Sequence, residues 1–168
     1  MIRALVLAIA GAVSYYYVIQ RKKLQMKLSK NFRLYEFVRT STGLFNYPDK
    51  RALENIQELV DKVLQPLRDR FGVIKVTSGY RSKQVNEAVG GVEDSEHRKG
   101  TAADIVPKEA DINEVFRYLK TSDLPIKQAI LETGKNGERW MHLVIGNGGE
   151  FLTAEWNNES KKMEYFQA

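Results

Sequence analysis

The spacing of hydrophobic residues changes several times along the chain, and each change marks an element. Ala4 to Ile19 is almost wholly apolar, with Ser14 the one interruption. Leu24 to Lys30 reads as a polar linker, and Asn31-Phe32-Arg33-Leu34-Tyr35-Glu36-Phe37 opens a globular domain. After Pro48-Asp49, the positions Leu53, Ile56, Leu59, Val60, Val63, Leu64 and Leu67 follow a helical period. Asp49 suits the N-cap, Pro66 predicts a kink or restart near Leu64, and Phe71-Gly72 ends the helix. Val73 to Thr77 is β-branched and reads as a strand. Ser82 caps a short helix over Lys83 to Val89, which Gly90-Gly91 stops.

The second half alternates more strictly. Thr101 to Val106 is a short strand that puts Ala102, Asp104 and Val106 on one face. Asp111-Ile112-Asn113-Glu114 has the form of a capping box, and Ile112, Val115, Phe116 and Leu119 give the following helix its buried stripe. Ile126 to Leu131 and Arg139 to Ile145 are partner strands around the turn Thr133 to Gly137. Trp140, His142 and Val144 share one face of the second. Pairing 130 with 142 would set Glu132 opposite Trp140. Gly146 to Gly149 closes the domain, and residues 151–168 form a mixed polar tail with a short strand, Phe151 to Trp156. The expected fold is α+β, a small antiparallel sheet packed against helices, preceded by an N-terminal apolar helix. The domains are residues 1–30, 31–150 and the tail 151–168.

Composition changes this picture at two points. The formal charge of +5 is a flank effect: six of the 26 basic residues lie in residues 1–30, which carry no acid, leaving 20 basic against 21 acidic residues beyond. The globular part therefore offers no basic footprint for nucleic acid. Cysteine is absent, so neither disulfides nor thiolate metal sites exist, and any zinc must be held by His and carboxylate.

The apolar run 4–19 has three readings. As a helix it spans about 24 Å, slightly short of a hydrocarbon core of about 30 Å. It is a membrane anchor, a signal peptide with Ala10-Gly11-Ala12 as cleavage site, or a helix packed on a partner. The anchor is preferred because the run passes the cleavage site and ends in Arg21-Lys22-Lys23. Positive-inside reasoning would then leave the domain cytoplasmic.

The chemistry concentrates in Ser95-Glu96-His97-Arg98-Lys99-Gly100-Thr101-Ala102-Ala103-Asp104 and in Trp140-Met141-His142. These stretches hold both histidines of the chain. Two histidines and one carboxylate are the ligand set of a catalytic zinc with one open position. One continuous helix would separate His97 from Asp104 by about 10 Å along its axis. Gly100 instead favours a turn that folds His97 back onto the strand, where Ala102 leaves room. The ordinary reading of such a pair is a hydrogen-bonded surface contact.

The string S-x-H-x-x-G-x-A-x-D followed by W-x-H resembles the zinc D-Ala-D-Ala carboxypeptidase family, whose fold is shared with hedgehog signalling domains. Ser78-Gly79-Tyr80-Arg81-Ser82 and the opening Asn31 to Phe37 are similar to family segments as well. The resemblance runs from about Asn31 to Gly149. It implies one zinc ion held by His97, Asp104 and His142, with peptidoglycan stem peptide as substrate. It also implies a transition-state role for Arg81, a substrate-binding or loop-orienting role for Ser95, and often a phage origin. Many relatives carry the proton-transferring acid three residues before the last zinc-binding histidine, where this chain has Arg139. Glu132 is the preferred substitute and Glu138 the second. The expected function is a zinc-dependent peptidase, with a non-hydrolytic zinc-bearing binding module as the alternative. The expected location is the cell envelope, reached through residues 4–19, or a virion.

Overall fold

A computed structural model describes residues 24–168. Its elements are α1 (Leu34–Val38), α2 (Lys50–Leu59), α3 (Gln65–Phe71), β1 (Ile74–Ser78), α4 (Lys83–Ala88), α5 (Glu96–Lys99), β2 (Ala102–Pro107), α6 (Ile112–Thr121), β3 (Ile126–Thr133), β4 (Arg139–Ile145), β5 (Glu150–Asn157) and β6 (Lys162–Gln167). The apolar segment 4–19 lies outside the described residues. Among those described, no helix is long and apolar enough to cross a membrane.

Local chemistry sets the boundaries much as the sequence predicts. The side chain of Asp49 accepts from the Ala52 N–H at 2.8 Å, and Ser82 Oγ accepts from the Val85 N–H. The Asp111 carboxylate accepts from the amides of Asn113 and Glu114. Between α2 and α3 the rod widens into a π-helical turn, Val60–Leu64, where the Gln65 N–H reaches back to the Val60 carbonyl. Pro66 explains it: a proline lacks the N–H and crowds the carbonyl four residues back. Shifting the ladder by one residue lets the rod continue with Val60, Val63, Leu64 and Leu67 all fully buried.

The sheet has six strands in the order β1-β2-β4-β3-β5-β6. It is mixed rather than antiparallel, because β3 and β5 pair in parallel while the other neighbours are antiparallel. The reason is topological. Both β3 and β5 adjoin β4 in the chain through short reversals, so each runs opposite to it and they match each other. Gly146, Gly148 and Gly149 make the second reversal at φ 141°, 155° and 67°, a region that side chains disfavour. Residues 151–168 are therefore not a tail. Ala154 is fully buried, and both strands extend the sheet.

One sheet face is the core. Val76, Ile105, Met141, Leu143 and Leu131 pack beneath Leu59, Val63, Leu67, Phe116 and Leu119. The other face carries Asp104, His142, Ile130 and Glu132. Strand period thus separates packing from chemistry.

The segment 24–30 is also not a linker. Leu28 is 5% exposed and belongs to the core cluster. Its carbonyl accepts from Gln57 Nε2 at 2.7 Å, and Ser29 Oγ donates to Gln65 Oε1 at 2.6 Å. Leu28→Ala should destabilise the domain by about 2–5 kcal/mol, the range for truncating a buried leucine. Denaturant unfolding measures it, and a loss under about 0.5 kcal/mol would show that this segment does not belong to the folded unit.

Candidate active site

Three elements aim side chains at one point. The α5 turn ends at Gly100, with φ 76°, and a Cβ there would lie 2.4 Å from the Ala52 carbonyl oxygen. Only glycine fits both the left-handed backbone and the close approach. The chain then doubles back into β2 and brings His97 against Asp104. Thr101 Oγ1 and Lys127 Nζ reinforce this by donating to the Glu96 carboxylate at 2.6 and 2.7 Å. Burial alone would raise the Glu96 carboxyl, but these bonds and the nearby lysine charges hold it down at about 2.

The Ser78-Gly79-Tyr80-Arg81-Ser82 string supports the same turn. The Gly79 carbonyl accepts from His97 Nδ1 at 2.7 Å, and the Arg81 N–H donates to the His97 carbonyl at 3.2 Å. Because a carbonyl only accepts, His97 carries its proton on Nδ1, and Nε2 is left as a donor atom for metal. Gly79 has no space for a Cβ, which would meet the Phe37 backbone at 2.6 Å.

Register completes the group. Ser78 pairs with Asp104 and Asp104 with His142. In the next pairing His142 sits opposite Ile130 and Glu132 opposite Trp140. Asp104 Oδ1 lies 2.8 Å from His142 Nδ1 and 3.3 Å from His97 Nε2. One ligand atom from each of His97, Asp104 and His142 falls within 4.8 Å of the others. Asp104 Oδ2 accepts from Arg81 Nη2 at 3.2 Å, and Ser78 Oγ accepts from the same guanidinium. Burial pushes the Asp104 carboxyl up, but hydrogen bonds and charge from His142 and His97 outweigh it. The group stays far below the usual carboxylate range.

This donor set fits zinc. It has two imidazoles and one ionised carboxylate, with one imidazole locked by a carbonyl behind it in the manner of metal-binding histidines.

The donors open onto a cleft of about 420 Å³ whose lining also includes Arg81, Ser95, Glu132, Trp140 and Tyr165. Burial first, then the Asp104 charge, raises the Glu132 carboxyl. His142, the Trp140 indole N–H and Arg81 pull the other way. Ser95 is buried beside His97 and makes no cap bond to the α5 backbone. Glu138 is spent on the turn, where it accepts from the Asn136 N–H at 2.9 Å. Arg139 pairs with Thr133 on the helix-facing side, and its guanidinium donates to Asn113 Oδ1 at 2.9 Å. In this regular strand, residues 139 and 142 point to opposite faces. The arginine therefore does not occupy the cleft, and position 139 supplies no acid to it. Tyr165 and Gln128 also line the cleft, and the sequence reading missed both.

No curated protein matches the chain. The family model for Peptidase M15 matches residues 30–143, which contain His97, Asp104, His142, Arg81, Ser95 and Glu132. The chain belongs to the Peptidase M15 family, the zinc D-Ala-D-Ala carboxypeptidase-like peptidases that act on peptidoglycan.

Proposed function

We propose that the protein hydrolyses peptide bonds in peptidoglycan stem peptides, as a carboxypeptidase or endopeptidase of the D-Ala-D-Ala type. The supporting observation is the convergence in one cleft of the His97, Asp104 and His142 donors with a carboxyl, Glu132, that is no ligand and is raised by burial.

His97 Nε2, Asp104 Oδ1 and His142 Nδ1 would hold the zinc. When bound, the ion supplies Lewis-acid activation of water and of the scissile carbonyl near neutral pH. Glu132 takes a proton from the attacking water as its oxygen bonds to the carbonyl carbon. It returns that proton to the nitrogen as the C–N bond breaks. Arg81 is held by Asp104 and Ser78 through Nε and Nη2, which leaves its other N–H groups to stabilise the oxyanion. Ser95 binds the substrate from the wall beside His97.

The apolar run 4–19 and the family's substrate support a place at the cell envelope or in a phage particle. Release at lysis or carriage in a virion would remove the conflict with the basic cluster after the run.

The test is mass spectrometry of purified peptidoglycan incubated with the zinc-loaded chain. New peptide termini are expected with zinc and none after chelation. An unchanged digest with zinc bound would sink the peptidase reading.

A further inference from the structure

The β5–β6 hairpin lies beyond the segment matched to the family, yet it borders the cleft. Register carries Tyr165 there. Trp140 pairs with Glu132, Glu132 with Ala154, and Ala154 with Tyr165. Paired residues on neighbouring strands share a face, so these four form one row across β4, β3, β5 and β6. Between the carboxylate and the phenol stands only an alanine, fully buried, so no bulky side chain separates them.

The phenol has the properties of a ligand contact. Tyr165 is 56% exposed at the cleft rim, and its hydroxyl makes no hydrogen bond among the described residues. Burial, then the Glu132 charge, pushes its pKa up, so it remains a neutral O–H donor under ordinary conditions. A tyrosine offers that donor on a stiff side chain at low entropic cost. Its neighbour Phe166 pairs with Thr153 and faces the opposite side of the sheet.

We propose that the β5–β6 hairpin is part of the substrate cleft. Tyr165 binds the peptide there, donating its phenolic hydrogen to a carbonyl oxygen of the substrate segment held on the Glu132 side. This rests on the peptidase reading. The occupant follows from the chemistry of the row: an extended peptide presents carbonyl oxygens at regular intervals, and Tyr165 presents an unsatisfied donor two strands from Glu132 and three from His142.

The experiment uses the full chain loaded with zinc and a soluble muropeptide bearing the stem pentapeptide. Cleavage is followed by mass spectrometry and binding by calorimetry. Tyr165→Phe keeps the ring and removes only the donor, so zinc content and melting temperature should match the wild type. KM and the dissociation constant should rise about three- to tenfold, the scale of one neutral hydrogen bond, with kcat within about twofold. Phe166→Leu should leave both unchanged. Equal KM in active wild type and Tyr165→Phe overturns the proposal and leaves the peptidase reading standing. An equal rise in Phe166→Leu also overturns it, since that marks a general loosening of β6. Weaker binding by Tyr165→Phe in a chain that does not cleave supports the subsite and removes the peptidase reading. A wild type that neither cleaves nor binds the muropeptide overturns both.

Discussion

His142→Ala is expected to strip zinc from the protein and to abolish hydrolysis. His142 Nδ1 is the donor closest to Asp104 Oδ1, at 2.8 Å, and it sits at the centre of the site face, between Asp104 on β2 and Ile130 on β3. Without it two donors remain, and a pair from one short helix and one strand does not fix a tetrahedral ion. Changes merely behind a metal ligand typically cost about 10- to 100-fold in affinity, so loss of a ligand should exceed about 100-fold. Metal analysis should fall from about one equivalent to a small fraction, and peptide release should drop to background. The fold should persist, because the helix-facing core uses Met141 and Leu143 from this strand, not His142. Circular dichroism and a melting curve would show a folded protein without metal. Full zinc retention in His142→Ala would exclude this ligand set.

Much of this arrangement is legible in the sequence because short-range rules act on it. Gly100 marks the reversal that lets a helix residue and a strand residue meet, and the period of two fixes the faces of Asp104 and His142. Pairing 130 with 142 is one register that the hairpin allows, and the structure has it. What escapes the sequence depends on contacts far along the chain. Leu28 looks like one of three apolar residues in a polar linker, and only its packing near Gln57 and Gln65 makes it core. The strand Phe151 to Trp156 is visible, but its alternation does not name a partner. The parallel pairing with β3, and with it the approach of Tyr165 to Glu132, is set by the path from β4 around the end of β3. Arg139 misleads for a related reason. Counting three residues back from His142 treats the position as local to the site, while strand geometry sends it to Asn113 on the other face.

Glu132→Gln is expected to lower kcat by about 10²–10⁴-fold while zinc and fold are retained, the usual contribution of a positioned proton-transfer group. Glutamine is nearly isosteric and Glu132 is not one of the three donors, so the metal content should not change. The same substitution at Glu138 should alter the rate by less than about threefold, the scale of an exposed charge, because its carboxylate is turned onto the Asn136 amide. The pH profile separates a base from a binding residue. Only the ionised carboxylate accepts a proton, and burial raises the Glu132 carboxyl above its ordinary value. The acidic limb of kcat/KM should therefore lie above the range of a solvated glutamate, with activity rising as pH increases through it. In Glu132→Gln the residual activity should lose that limb. A mutant that keeps the limb and the rate would place the base outside this strand. A large loss in Glu138→Gln with none in Glu132→Gln would move the assignment to the turn. Loss of zinc in Glu132→Gln would instead make Glu132 part of the metal site, and the distance from β3 to Asp104 would have to close when the ion binds.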